Sequence, residues 1–304
     1  MNRLAPIILF VYNRPDHTRT CLEYLERNEL AAESELYIFA DGPRPGSEEA
    51  VAAVRQVIAR PWKFGRVTVV ERRENRGLAA NVIDGVTSLL ERYDRVIVLE
   101  DDLVVAPYFL RFMNDALELY RDEPRVGHIQ ACDFTGDRSL PDIFLIKFTG
   151  SWGWGTWRRA WRYFNPDGAA LLRAFEQDKR LSRTFDFNGK YRFTRMLRRQ
   201  VEGKNNSWAI RWNASLFLND ILSLNVGRSL VRNIGFDGSG TNCGGGHLYD
   251  SELYMAPLKV YKISPVVENV QARKAWERYY ARTQSFWAKA WRRVKRTLKG
   301  DFGA

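Results

Sequence analysis

Glu100, Asp101 and Asp102 stand together inside an apolar run, with Val96-Ile97-Val98-Leu99 before them and Leu103-Val104-Val105 after. Three unpaired carboxylates withdrawn from water would each cost several kcal/mol, so something positive must be held against them. The pattern reads as a strand, Val96 to Leu99, that surfaces at Glu100 and offers Asp101 and Asp102 to a divalent cation. Carboxylate oxygens suit Mg²⁺ or Mn²⁺, ions that usually share their shell with substrate phosphates. A nucleoside-diphosphate substrate follows from that chemistry. The plainer alternative is a solvated acidic turn, but the immediate return to apolar residues leaves little length for one.

Other predicted strand ends carry polar residues too. Asn13-Arg14 follows Ile7 to Val11, Asp41 follows Leu36 to Ala40, and Asn75-Arg76-Gly77 lies beyond Val67 to Val70. Ligands of open parallel sheets bind beyond the carboxyl ends of the strands. Taken singly, Asn13 is also a helix cap, Asp41-Gly42 a turn and Asn75-Arg76-Gly77 a loop; their shared edge gives them weight. The always-charged fork of Arg14 suits a phosphate or a base, and Asp41 suits the N–H of a base. No Gly-x-Gly-x-x-Gly or Walker sequence is present, which argues against dinucleotide and P-loop readings.

The elements that must position these groups alternate strand and helix over the first 130 residues, the pattern of an α/β fold with a largely parallel sheet and helices on both faces. Pro15 fits the first turn of a helix. Leu78, Val82, Val86 and Leu89 recur at helical spacing and predict one buried stripe, and a further helix is predicted from Ala106 to about Tyr120. From Cys132 onward aromatic residues crowd 151–157 and 208–212, and a glycine-rich loop spans 235–246. The expected organisation is a nucleotide-binding half over 1–131, an acceptor-binding half of the same body over 132–268, and a basic tail over 269–304.

The net charge of +11 is concentrated in that tail: residues 270–299 hold ten Lys/Arg and one acid, against 37 basic and 34 acidic residues over 1–269. A near-neutral body argues against nucleic-acid binding, which needs a basic surface on the fold itself. Phe286, Trp287, Ala290, Trp291, Val294 and Leu298 share one helical face, with six cations on the remainder. That is the layout of a helix lying on an anionic membrane surface, the alternative being a helix docked on its own domain. Cys21, Cys132 and Cys243 have no paired spacing, which argues for a reducing compartment. The apolar stretch 5–12 is too short to span a bilayer. A cytoplasmic enzyme, peripheral on the inner face of the cell membrane, is the expected location.

Pro6 to Arg14, Asp41 and the run Glu100 to Pro107 resemble the GT-A-fold glycosyltransferases, and especially the N-acetylglucosaminyltransferase I group, whose Glu-Asp-Asp triplet precedes a similar Leu-x-Val-Ala-Pro segment. Trp152-Gly153-Trp154 is similar to a Gly-x-Gly-Trp segment of that group. The resemblance implies a metal-dependent, inverting transferase using a nucleotide-sugar donor, with UDP-sugars foremost, and a saccharide acceptor; the membrane reading of the tail suggests that this acceptor is lipid-linked or an envelope polysaccharide precursor. It implies Asp102 as the metal ligand for Mn²⁺ or Mg²⁺ and Asp101 beside ribose and metal-bound water. Glu100 would lie on the donor sugar, Arg14 and Asp41 on the nucleotide, and Asn81 near its ribose, with Asn75 on the donor side.

Inversion requires a carboxylate to take the acceptor's proton. The family's base follows a Trp, and the counterpart here is Ala209. Asp237, in the glycine-bearing loop that would close over the donor, is the candidate in its place, ahead of Asp250 and Glu252; the alternative for Asp237 is an ordinary Asp-Gly turn. Trp152 and Trp154 are candidate stacking platforms for sugar, the other tryptophans being expected in the core. His17 and His128 are expected in ordinary hydrogen-bonded roles, and His247 beside the donor phosphates. Rival functions are a nucleotidyltransferase, disfavoured because Tyr12-Asn13-Arg14-Pro15 is not its glycine-rich loop, and a non-catalytic sugar- or membrane-binding module.

Overall fold

The computed structural model describes residues 4–237 and 252–284. Strands β1 (Ile7–Val11), β2 (Glu35–Ala40), β3 (Arg66–Glu71) and β4 (Arg95–Glu100) alternate with helices α1 (Pro15–Glu26), α2 (Glu48–Ile58) and α3 (Leu78–Leu90). After a short β5 (Leu103–Val105) come α4 (Phe109–Leu119), β6 (Val126–Gln130), β7 (Ile143–Ile146) and β8 (Trp154–Trp157). Five helices follow in two stretches: α5 (Arg158–Trp161), α6 (Gly168–Gln177), α7 (Lys179–Phe185), α8 (Phe193–Val201) and α9 (Trp208–Leu218). The chain then makes β9 (Leu222–Val226), β10 (Val231–Asn233) and α10 (Val270–Gln284).

Eight strands form one sheet in the order β3-β2-β1-β4-β8-β6-β9-β7. Strands β1 to β4 are mutually parallel, β8 runs antiparallel between β4 and β6, β9 is parallel to β6, and β7 closes the edge antiparallel. The fold is therefore the mixed, mainly parallel α/β sheet of the GT-A type. Every residue of β1 is buried, which is why its sequence is a continuous apolar run rather than an alternating one.

Two predicted details change. In α3, Val82, Val86 and Leu89 are buried, but Leu78 is 39% exposed because it opens the helix at the ligand edge. Helix α4 starts at Phe109, not Ala106: the Ala106 N–H donates to the Leu230 carbonyl, and Pro107 disfavours helical backbone at the residue before it.

The core has two parts. The larger surrounds the sheet and α1 to α4. The second is rich in aromatic rings, joining Phe144, Phe148, Phe175, Phe185, Phe187 and Phe193 to Trp276, Tyr279 and Tyr280 of α10. The first half of the expected tail is thus not a tail. Trp276 is fully buried against Phe134 and Phe148, and truncating such a side chain costs about 3–5 kcal/mol. The amphipathic stretch from Phe286, and Cys243, His247 and Asp250, lie outside the described residues. Cys21 and Cys132 are both buried. Among the described residues no helix is long and apolar enough to cross a membrane.

Candidate active site

The order β3-β2-β1-β4 means that the chain leaves β1 toward one side and returns to β4 on the other. That reversal opens a crevice at the carboxyl ends of β1 and β4. Phe10 lies in register with Glu100, so the segments after the two strands emerge side by side. The Tyr12 N–H donates to Asp101 Oδ2 at 3.3 Å, and Arg14 Nη1 donates to Asp102 Oδ2 at 3.2 Å. Asp101 and Asp102 are both buried.

A distant segment completes the cluster. Strand β10 pairs antiparallel with β5, and the Ile234 N–H donates to the Asp102 carbonyl at 2.8 Å. A Cβ at Gly235 would lie 2.4 Å from Asp102 Oδ2 and 2.9 Å from Arg14 Nη2, so only glycine lets the backbone pass here. Two residues on, Asp237 sits 3.7 Å from Arg14 Nη2 and 3.2 Å from His17 Nε2, with its side chain 46% exposed. The fold thereby brings Arg14, Asp101, Asp102 and Asp237 together, and adds His17, which sequence reasoning left in an ordinary role.

The electrostatics of the cluster lean one way. Burial raises Glu100 well above the usual carboxylate range, and the charges of Asp102 and Asp101 raise it further. Asp101 is pushed up to about 7 by burial and by the Asp102 charge, against the opposing pull of Arg14 and the Tyr12 N–H. The Cys21 thiol is raised by burial and then by the same two aspartates. Arg14 alone does not offset this negative charge, and among the described residues its buried Nε and Nη2 make no hydrogen bond. A hard divalent cation answers such a surplus. Among the described residues no three His, Cys, Asp or Glu side chains form a ready metal cage. The donor set fits an ion that completes its shell with diphosphate and water.

Asp41 does something other than expected. Its Oδ1 accepts from the Gly42 and Arg76 N–H groups, and its Oδ2 from the Gly77 N–H and Asn75 Nδ2. A carboxylate has about four acceptor sites, and here they are filled. Asp41 therefore clamps the loop after β3 to the end of β2, leaving no acceptor site for a base N–H. Asn75 is spent likewise: its amide nitrogen also donates to the Gly42 carbonyl, and its oxygen accepts from Arg44. Asn81, buried in the first turn of α3, keeps an Oδ1 that accepts nothing.

Trp154 is not a sugar platform. It is fully buried, stacked on His128, Trp161 and Trp208, and has no face open to a ligand. Gly153, at φ +62°, turns the chain between the two tryptophans. Trp152 lies on the other side of that turn, edge-on to Phe134 and to Phe236, the neighbour of Asp237. His128 is a core residue: its Nδ1 accepts from Trp212 Nε1 at 3.1 Å, and burial drives its pKa down to about 3. Glu252 pairs with Arg138 at 3.1 Å and is 84% exposed.

Sequence reasoning missed Asp133. It lies just past β6, a strand parallel to β4, and therefore at the same edge of the sheet. Burial pushes it up to about 6, against hydrogen bonds from Thr135 and Gly136. The available signal was an acid directly after an apolar strand, the signal that picked out Asp41.

A search of curated protein sequences gives no match. Among solved structures the chain is similar to the mannosyltransferase PcManGT from Pyrobaculum calidifontis in complex with GDP-Man and Mn²⁺, with a TM-score of 0.42 and 12% identity, covering 72% of this chain and 70% of that one. It is also similar to mouse xyloside xylosyltransferase 1 in its apo form, with a TM-score of 0.38 and 12% identity over 71% and 83% of the two chains. The family model described as Glycosyl transferase family 2 matches residues 7–205, which covers most of the sheet and the acidic triplet; the chain belongs to that family and is a glycosyltransferase.

Proposed function

We propose that this glycosyltransferase is metal-dependent and inverting, and moves a sugar from a nucleoside-diphosphate donor, UDP-sugars being the first choice, to a saccharide acceptor. The observation that carries the reading is the meeting of Arg14, Asp102 and Asp237 at the β1/β4 crevice. Asp102 would hold Mn²⁺ or Mg²⁺, which when bound neutralises charge developing on the departing diphosphate. Arg14, held between Asp102 and Asp237, keeps a guanidinium that would meet a donor phosphate. Asp101 orients against the Tyr12 N–H, Glu100 faces the donor sugar, and Asn81 Oδ1 accepts a ribose hydroxyl. Asp237 takes the proton of the acceptor hydroxyl as that oxygen bonds the anomeric carbon and the carbon–diphosphate bond breaks. His17, 3.2 Å from Asp237, sets its orientation. The kinship with the N-acetylglucosaminyltransferase I group, carried by Glu100 to Pro107 and by Trp152 to Trp154, belongs to this reading.

One second reading has an observation behind it. Asp133, at the same edge and pushed up to about 6, has the proton affinity of a general base near neutral pH. Replacing each aspartate with Asn separates the two.

The basic, tryptophan-bearing sequence 286–299 favours a membrane-bound acceptor, lipid-linked or an envelope polysaccharide precursor, with the enzyme peripheral on the inner face of the cell membrane. A thermal-shift screen of nucleotide sugars with and without Mn²⁺ tests the donor half. A ligand that binds only the folded state raises Tm, and slow hydrolysis of that nucleotide sugar should need the metal. Release of pyrophosphate from a nucleoside triphosphate would point instead to nucleotidyl transfer.

A further inference from the structure

The near-neutral average over residues 1–269 conceals a segregated charge. Residues 168–205, which contain α6, α7 and α8, hold ten Lys/Arg and four acids. All ten basic residues are exposed. Among the described residues only Arg198 and Lys204 of the ten have a carboxylate within ion-pair distance, Glu176 and Glu202.

The placement of these cations is costly for an isolated helix. On α8 and its cap, Arg192, Arg195 and Arg199 follow one another three and four residues apart, opposite the buried Phe193 and Leu197. On α7, Lys179 and Arg183 stand four apart, and Lys190 lies in the turn to α8. Like charges at these spacings repel along the helix face. A surface of this kind is stabilised by an external array of negative charge.

The same module emits the basic terminal sequence. Tyr280, one turn from the end of α10, packs on Phe187, Tyr191 and Phe193. Arg273 donates to the Thr184 carbonyl, and Asn188 donates to Glu277 at 2.6 Å. Helix α10 therefore ends beside the α7–α8 turn, and the sequence that continues from it carries three apolar aromatics and six cations over 286–299.

We infer that the α7–α8 face is a membrane-docking surface that binds anionic lipid headgroups and acts together with the terminal sequence. A bilayer is the occupant that suits both: its headgroups supply spread negative charge to the stripe, and its interface takes the tryptophans that follow. The inference extends the membrane reading of 286–299 and is independent of the donor site.

The test is sedimentation of the full chain with vesicles of phosphatidylcholine alone or mixed with phosphatidylglycerol. It is run on the unaltered protein, on the cap variant R192E/R195E/R199E and on the terminal variant R292E/R293E/K295E/R296E. Loss of one cation weakens partitioning about fivefold at an anionic surface, so the cap variant should bind mixed vesicles about a hundredfold less well or worse. Binding of the unaltered protein should fall with added salt. The milder R192Q/R195Q/R199Q should lie between the two, and metal-dependent donor hydrolysis in solution should be unchanged in all. Equal binding by the cap variant and the unaltered protein would overturn the inference, because the terminal sequence would then suffice. Retention of the unaltered protein by a soluble polyanion such as heparin but not by mixed vesicles would overturn it as well.

Discussion

The edge at the ends of β1 and β4 and the α7–α8 face are both charged, and they handle charge in opposite ways. At the carboxyl ends of β1 and β4 the ionisable groups are set against one another: Arg14 and Asp102, both largely shielded from water, pair together, and the half-exposed Asp237 lies on Arg14 and His17. Each position is over-determined, and the remaining excess of negative charge is local and directed. On α7 and α8 the cations are exposed, spaced to repel, and mostly without acids in reach among the described residues. The first pattern is that of a small ligand with defined geometry. The second is that of a partner that is extended and negative. Net charge, which describes the chain as a whole, separates neither.

The largest effect that would break this comparison is at Asp102. Asp102→Asn should lower transfer by at least about a thousandfold, since it removes the anchor for a Lewis acid worth several kcal/mol, while vesicle binding stays as before. Next comes Asp237→Asn, expected to cost about a hundred- to ten-thousandfold in kcat, with donor affinity retained. If Asp133→Asn gives that phenotype and Asp237→Asn does not, the base belongs to the loop after β6. Gly235→Ala forces a methyl group against Asp102 and Arg14 and should weaken donor binding without changing the fold.

A smaller effect is expected at Asp41, where loss of a charged acceptor for three backbone N–H groups costs about 1.5–3 kcal/mol per bond at most. Asp41→Asn should raise KM for the donor about tenfold by loosening the loop after β3, with little change in kcat. His128 sharpens the contrast from the side of stability. Its folded pKa of about 3 lies below the usual imidazole value, so the unfolded chain takes up a proton that the folded one refuses. Stability is then fully present above about pH 6.5 and falls by about 1.4 kcal/mol per pH unit toward pH 3. Replacing His128 with Gln, which can still accept from Trp212, should flatten that slope in urea titrations across this range.

Much of the cluster at the ends of β1 and β4 was legible in the sequence, because buried parallel strands are short apolar runs and their polar ends lie along one edge. Asp102, Asp101 and Arg14 were found in this way. What sequence did not reveal was decided by contacts between distant residues or by single backbone angles. The acceptor sites of Asp41 are filled by a loop 34 to 36 residues away. Trp152 and Trp154 look equivalent in sequence until the positive φ of Gly153 sends one toward the site and the other into the core. Asp237 reaches Arg14 only because β10 pairs with β5 across the chain. The cap's charge vanished into an average taken over too long a window.

The account stands on a cation held between Asp102 and the donor's diphosphate, and calorimetry tests that most directly. Titrating a nucleoside diphosphate into the full chain with Mn²⁺ should give saturable binding that disappears on chelation and falls at least about a hundredfold in Asp102→Asn. Binding of equal strength with and without the metal, or unaltered in that variant, would contradict it.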